Sequence, residues 1–270
     1  MEATVDSIVG DFIIDTGAPY LILNSTYFRN YPAKQTLQTA GLNANTTTAI
    51  RSEIKNFNAQ ELQYKNVEVD ITGLKQIEDK CNMRILGLMG ANMFSSFLMR
   101  IDTRKNQLVL YRLDEQGNTK TPLSDSLDLF NCERKPNVNL RFKWCDNKIM
   151  LPVSIANKEM NWMFDSGAET NVVDVLAQKK ILKEFNVIRR VALTGSTGAR
   201  QEVLIGYFNE ISIGSSSFSA QQTILTGMQE LNEACSMFID GILGYSFFSQ
   251  GIVSINFPKR EFSFYLYATQ

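Results

Sequence analysis

The chain has 270 residues, 44% of them hydrophobic, which is enough for one large core or two modest ones. Its 27 lysines and arginines nearly balance its 28 aspartates and glutamates, so no charge excess favours nucleic acid or an anionic membrane surface as a partner. Histidine is absent, which excludes Ser-His-Asp and Cys-His catalysis and histidine-ligated zinc. Any chemistry must therefore use carboxylates, lysine, hydroxyls or thiols.

The first predicted elements are strands that lead to an acid. The segment MEATVDSIVGDFII is typical of a strand, a polar turn and a second strand; Asp15 follows it, then Thr-Gly-Ala and a further apolar strand. A carboxylate between two apolar strands is either part of an ordinary turn or a functional group. A single Asp-Thr-Gly is far more often the ordinary turn.

The same pattern occurs a second time. A shift of 150 residues aligns 1–18 with 151–168 without a gap and places Asp165, followed by Ser-Gly-Ala, opposite Asp15. A shift of 154 residues aligns 81–111 with 235–265, again without a gap, with 10 of 31 positions identical. Two motifs in register within a duplicated unit favour a function over an incidental turn.

Short runs rich in Val, Ile, Phe and Thr, separated by Asn, Gly and Ser, predict β-strands along most of the chain. The predicted helices are brief and cover 90–97, 172–185 and 244–251. The predicted fold class is therefore all-β: two β-barrel lobes related by a pseudo-two-fold axis, with a few short helices. The expected domains are an N-terminal lobe over 1–112, a surface linker over 113–136 and a C-terminal lobe over 137–270.

A strand-like run over 138–150 has no counterpart in the first half. We therefore expect a further strand, and with it a removed signal peptide, upstream of residue 1. Export to the periplasm or the cell surface follows from this expectation, and a cytoplasmic location stays open. The longest uncharged stretch near a cysteine, 85–99, has 15 residues. A bilayer span needs roughly 20, so no membrane span is expected.

The two acids are expected to meet if the lobes pack with their equivalent turns facing each other. Two carboxylates within about 3 Å cannot both ionise, so one proton is shared between Asp15 and Asp165. A water between them can lose a proton to one carboxylate while the other, protonated, polarises a peptide carbonyl. This is amide hydrolysis without a metal or any other cofactor.

The neighbouring residues fit the same task. Gly17 and Gly167 allow a tight turn and close approach to the acids. Thr16 and Ser166 supply hydroxyls that can bond across the interface between the lobes. The matched segments GLMG (87–90) and GILG (241–244) can pack beneath the acidic turns.

On these motifs the sequence resembles the retropepsin-like aspartic proteases, and most closely the bacterial type that carries both lobes in one chain. The resemblance implies the acid-protease fold, an aspartic endopeptidase activity, a catalytic dyad of Asp15 and Asp165, a peptide or protein substrate in the inter-lobe cleft, and a monomer. It implies supporting roles for the residues around the dyad: Thr16, Gly17, Ala18, Ser166, Gly167, Ala168, Leu88, Met89, Gly90, Ile242, Leu243 and Gly244. It also implies a mildly acidic optimum.

Members of this family close β-hairpin flaps over the substrate. The candidate flap tip in the second half is Gly195-Ser196-Thr197-Gly198, and an ordinary hairpin turn is an equal alternative for it. The equivalent stretch in the first half is 38–50.

Two other functions stay open. One is a catalytically inactive peptide-binding or structural module of the same fold. The other is an actin-like ATPase, which also carries two apolar-Asp-x-Gly loops but needs α/β domains with several long helices. Among the cysteines, Cys81 and Cys235 are expected to be two buried thiols, with a bridge as the alternative. Cys132 and Cys145 can pair if the protein is exported.

Overall fold

A computed structural model describes residues 1–40, 46–119, 135–194 and 200–268 of the chain. The strands of the first half are β1 (Glu2–Val5), β2 (Ile8–Ile14), β3 (Leu21–Asn24), β4 (Gln35–Ala40), β5 (Thr46–Ala59), β6 (Leu62–Thr72), β7 (Gly87–Met89), β8 (Phe97–Asp102) and β9 (Gln107–Arg112). Those of the second half are β10 (Val138–Arg141), β11 (Lys143–Cys145), β12 (Lys148–Ile155), β13 (Lys158–Phe164), β14 (Asn171–Asp174), β15 (Phe185–Thr194), β16 (Arg200–Ile213), β17 (Ser216–Thr226), β18 (Gly241–Leu243), β19 (Gly251–Asn256) and β20 (Glu261–Leu266). The helices are α1 (Ser25–Phe28), α2 (Lys75–Cys81), α3 (Lys179–Leu182), α4 (Gln229–Glu233), α5 (Tyr245–Phe248) and a 3₁₀ turn, Ala91–Phe94.

Each half of the chain forms a closed ring of six strands. In the first half the order β1-β2-β7-β3-β6-β5 closes because β1 also pairs with β5. In the second half the order β12-β13-β18-β14-β17-β16 closes because β12 also pairs with β16. The all-β fold class predicted from the sequence is confirmed. Because the described helices have between four and seven residues, the fold does not match an actin-like ATPase.

A third sheet joins the two halves. Its order is β10-β20-β19-β8-β9, so two strands of the first half and three of the second share one hydrogen-bonded ladder. At the seam β19 pairs with β8 in antiparallel register, with Val253 opposite Ile101. The boundaries at 112 and 137 stay a prediction, and most of the linker lies outside the described residues.

The helix predictions over 90–97 and 244–251 each contain a helical turn, the 3₁₀ turn and α5. The helix predicted over 172–185 is wrong. Its first residues belong to β14, which pairs with both β17 and β18, and α3 covers only four residues. The β-branched Val172 and Val173 fit this buried strand. Pairing with neighbouring strands therefore decides the structure here, although the apolar residues of the segment are spaced as in a helix.

The cysteine prediction needs correction. Cys81 is exposed at the end of α2, and Cys235 is half-buried, so they are not two buried thiols. Both are free, as is Cys145, whereas Cys132 lies outside the described residues. In the part of the chain that is described, no helix is long and apolar enough to cross a membrane.

Aromatic rings from both halves pack together beside the shared sheet. Phe257 lies at the centre of this cluster: its ring centroid is 5.6 Å from that of Trp144, 6.3 Å from that of Phe142 and 6.5 Å from that of Phe94. Phe94 belongs to the first half and the other three residues to the second. Burial of these rings removes apolar surface from water at the junction and stabilises it.

We expect Phe257→Ala to lower the free energy of unfolding by about 3–5 kcal/mol, because it leaves a cavity between the two halves. Urea unfolding followed by tryptophan fluorescence measures this change. The matched control is Phe238→Ala: Phe238 is 48% exposed, so its loss should cost much less. Equal costs for the two variants would contradict a junction held together by Phe257.

Candidate active site

The two acids emerge from equivalent positions in the two rings. Asp15 follows β2, and its N–H donates to the carbonyl of Met89 at 3.1 Å. Asp165 follows β13, and its N–H donates to the carbonyl of Leu243 at 3.0 Å. These carbonyls belong to β7 and β18, which run parallel to β2 and β13 respectively. Each acid is therefore fixed by the short apolar strand beside it.

The glycines that follow these short strands are required by close packing. A Cβ on Gly90 would lie 2.2 Å from the carbonyl oxygen of Tyr20, and one on Gly244 would lie 2.7 Å from that of Ala168. Just beyond them, the N–H of Ala91 donates to the carbonyl of Ala18 at 2.9 Å, and the second half repeats this bond from Tyr245 to Ala168 at 2.8 Å. The segment after each short strand thus supports its own acidic loop.

Hydroxyl groups lock the two loops together. The side chain of Thr16 accepts from the N–H of Ser166 at 2.9 Å and donates to the carbonyl of Phe164 at 3.2 Å. In return, the side chain of Ser166 accepts from the N–H of Thr16 at 3.0 Å and donates to the carbonyl of Ile14 at 2.9 Å. Thr16 is fully buried. Four reciprocal bonds therefore fix each loop against the other.

Each carboxyl group packs against the glycine of the opposite loop. A Cβ on Gly17 would lie 2.5 Å from Cγ of Asp165, and one on Gly167 would lie 2.7 Å from Cγ of Asp15. Only glycine leaves this space free. Within its own loop, Oδ1 of Asp15 accepts from the N–H groups of Gly17 at 2.9 Å and Ala18 at 3.2 Å, and Oδ1 of Asp165 accepts from that of Gly167 at 2.8 Å.

The two carboxyl groups interact electrostatically. Burial holds the pKa of Asp165 well above its usual value, and the charge of Asp15 and a hydrogen bond to that residue raise the pKa further. The N–H groups of Gly167 and Ala168 oppose this rise. Because water is largely excluded from Asp165, its proton is retained at a pH where an exposed aspartate is ionised. The pair can therefore hold one acid and one base side by side.

The carboxyls open into a cleft between the two rings with a volume of about 430 Å³. Its first-half wall includes Tyr20 and an ion pair between Arg51 and Asp70, in which Nε of Arg51 lies 2.8 Å from Oδ1 of Asp70. These two residues lie opposite each other on the paired strands β5 and β6. Its second-half wall includes Lys148 and Cys235. A larger cavity, of about 770 Å³, lies between β9 and the β5–β6 turn, and neither acid lines it.

Sequence reasoning missed these charged residues of the cleft. Arg51 precedes and Asp70 follows the two-residue turn Gln60-Glu61 by the same number of residues. A β-hairpin predicted around that turn would therefore have placed the two side chains opposite each other. The sequence signal for Lys148 is weaker: it is a lysine at the start of a strand whose next five residues are apolar.

The structure brings together most residues predicted for the site. The dyad, its hydroxyls and its glycines meet at the junction of the rings, and the two apolar-apolar-Gly segments lie directly behind them. Ala18 and Ile242 also line the cleft. The candidate flap tip Gly195-Ser196-Thr197-Gly198 lies outside the described residues, as does 41–45 of the first-half stretch. No cluster of three or more metal-ligating side chains occurs among the residues that the structure describes.

Comparison with protein-family models and with curated proteins finds no match. Among solved structures, the chain is similar to a retropepsin-like aspartic protease from Rickettsia conorii, with 17% sequence identity and a TM-score of 0.33. The match covers 47% of this chain and 89% of that one. The chemistry of the site is therefore inferred from its own geometry.

We expect Thr16→Val to lower the free energy of unfolding by about 1–3 kcal/mol, because the N–H of Ser166 and the carbonyl of Phe164 lose their partner in a buried interface. Denaturant unfolding measures this change. Thr16→Ser, which keeps the hydroxyl, is the matched control and should cost less. If the two variants lose the same stability, the hydroxyl bonds do not hold the loops together.

The raised pKa of Asp165 predicts a pH dependence of stability. The folded state holds a proton that the unfolded state releases at about pH 3.9, so this contribution is complete at lower pH and is lost as pH rises through the folded-state pKa. The stability of the wild type relative to Asp165→Asn should therefore fall with rising pH. Urea unfolding of both proteins between about pH 3 and 8 measures this difference, and a constant value would contradict the raised pKa.

Proposed function

We propose that the protein is a single-chain aspartic endopeptidase of the retropepsin-like, tandem-lobe type. The observation that carries this proposal is the pairing of two acidic loops, each with its carboxyl against the opposite loop's glycine and each bonded to the other through a hydroxyl. Without histidine in the chain, a carboxyl pair of this kind supplies both an acid and a base.

The proposed reaction uses one shared proton. Asp165 holds this proton, in keeping with its raised pKa, and Asp15 is the base. Asp15 takes a proton from a water as the oxygen attacks the peptide carbonyl, and Asp165 gives its proton to the carbonyl oxygen. In the resulting diol, Asp15 returns its proton to the amide nitrogen, Asp165 recovers a proton from a hydroxyl, and the C–N bond breaks. The dyad ends in its starting state.

The proposed substrate is a peptide or protein segment in the cleft. An extended chain suits a groove whose walls come from both rings and whose floor is the dyad. The monomer is part of the proposal, since both acids come from one chain. Export to the periplasm or the cell surface stays a prediction.

Cleavage of a diverse peptide library between about pH 3 and 8 tests the proposal. Asp15→Asn and Asp165→Asn should each lower kcat/KM by at least about 10²-fold, because each removes one partner of the acid–base pair. Asp79→Asn is the matched control, since Asp79 is exposed on α2, is paired with Lys75 and does not line the cleft.

Two outcomes would contradict an endopeptidase. One is activity that survives in both dyad variants, which would place the chemistry elsewhere. The other is the absence of cleavage by the wild type at every pH. In that case peptide binding to the wild type, measured by calorimetry, would support the alternative of an inactive binding module.

A further inference from the structure

One charged side chain of the cleft has no ion-pair partner among the described residues. Lys148 is the first residue of β12, is only 8% exposed, and lines the same cleft as Asp165. Among the described residues, no carboxylate forms an ion pair with it. A buried ammonium group without a direct ion-pair partner is costly, which favours a ligand that brings a carboxylate to it.

The contacts of the ammonium group leave at least one of its donors unused. An ammonium has three N–H donors. Nζ of Lys148 donates to the carbonyl of Asp146 at a long 3.4 Å and lies beside the Cys235 thiol. The carboxylate of Asp146 is held instead by the N–H and hydroxyl of Ser236, both at 2.7 Å. The bonds from Ser236 lower the pKa of Asp146 and the charge of Lys148 lowers it further, so these two charges attract each other without forming an ion pair.

The charges on the first-half wall form an ion pair, and the remaining negative charge of the cleft belongs to the dyad. Arg51 binds Asp70 through two bonds, of 2.8 and 3.1 Å, and its guanidinium lies over the ring of Tyr20. This pair leaves no net charge on the first-half wall. Among the described residues that line the cleft, Lys148 is thus the one cation without an ion pair, and it lies on the opposite wall from Arg51.

The surroundings of Lys148 suit a particular ligand. The half-buried Leu231 and the almost fully buried Met163 and Ile242 give the same wall an apolar surface. A side chain with methylene groups and a terminal carboxylate would place its apolar part on this surface and its charge on the ammonium group. Charge-assisted bonds of this kind are stronger than neutral ones and are most selective where water is excluded.

We propose that Lys148 is a specificity-determining residue that binds a carboxylate of the substrate, so that the enzyme prefers acidic peptides. The proposal rests on the endopeptidase function above and specifies its substrate class. The carboxylate belongs either to a glutamate or aspartate side chain or to the C-terminus of the peptide, and these two sources share the same chemistry.

The test uses peptides that differ in a single group. A glutamate is moved through the four positions on each side of the scissile bond of a cleaved sequence, with glutamine as its neutral match. A second pair compares a free C-terminal carboxylate with its amide. One placement of the carboxylate should raise kcat/KM by about ten-fold or more over its neutral match, and its position identifies the source of the carboxylate.

The variants assign this preference to Lys148. Lys148→Met keeps the length and apolar character of the side chain and should reduce the ratio of kcat/KM between acidic and neutral peptides to about one. Lys148→Glu should reverse the preference in favour of a lysine at the same position. Lys143→Met is the matched control, because Lys143 is an exposed lysine on β11 and should leave the ratio unchanged.

The outcomes separate this proposal from the function on which it rests. Cleavage without a preference for any carboxylate, or a preference that survives in Lys148→Met, would overturn the role of Lys148 and leave the endopeptidase intact. If the wild type or Lys148→Met cleaves nothing, the affinity for the same peptide pairs is measured by calorimetry instead. The two proteins compared are Asp165→Asn and the double variant that carries both Asp165→Asn and Lys148→Met. Tighter binding of the acidic peptide that requires Lys148 supports the proposal, and equal binding refutes it.

Discussion

The reciprocal bonds between Thr16 and Ser166 are the constraint on which the site depends. They connect the backbones of two loops that are 150 residues apart in the sequence, at the point where the two rings meet. Because each hydroxyl both donates and accepts, neither loop can shift without loss of a buried bond in the other. The separation of the carboxyl groups is thereby fixed by the backbone, and the electrostatic coupling between Asp15 and Asp165 follows from it.

Much of this arrangement could be predicted from the sequence. The duplication placed Asp15 and Asp165 in register, and the need for a glycine at Gly17 and Gly167 follows from how closely two carboxyls must approach. These features depend on short motifs whose geometry is local. The helix predicted over 172–185 failed for the opposite reason, since β14 forms through pairing with strands that are remote in sequence.

The charges of the cleft were harder to predict, because their effect depends on what lies opposite them. Arg51 is neutralised by a cross-strand partner, whereas Lys148 faces no such partner. A sequence shows both as basic residues of strands, and only the pairing of the strands distinguishes a structural ion pair from a charge that is available to a ligand. The same limit applies to Cys81, whose place in the duplicated unit suggested burial but which is exposed in the folded chain.

The shared sheet of β10, β20, β19, β8 and β9 determines how assembly of the site depends on protein concentration. A site built from two separate subunits falls apart on dilution, because its assembly is bimolecular. Here the two halves of the site are tethered covalently and also joined by a continuous ladder of backbone bonds, so assembly is intramolecular and its effective concentration is set by the chain itself. The integrity of the site should therefore be independent of how much protein is present, down to the most dilute solution.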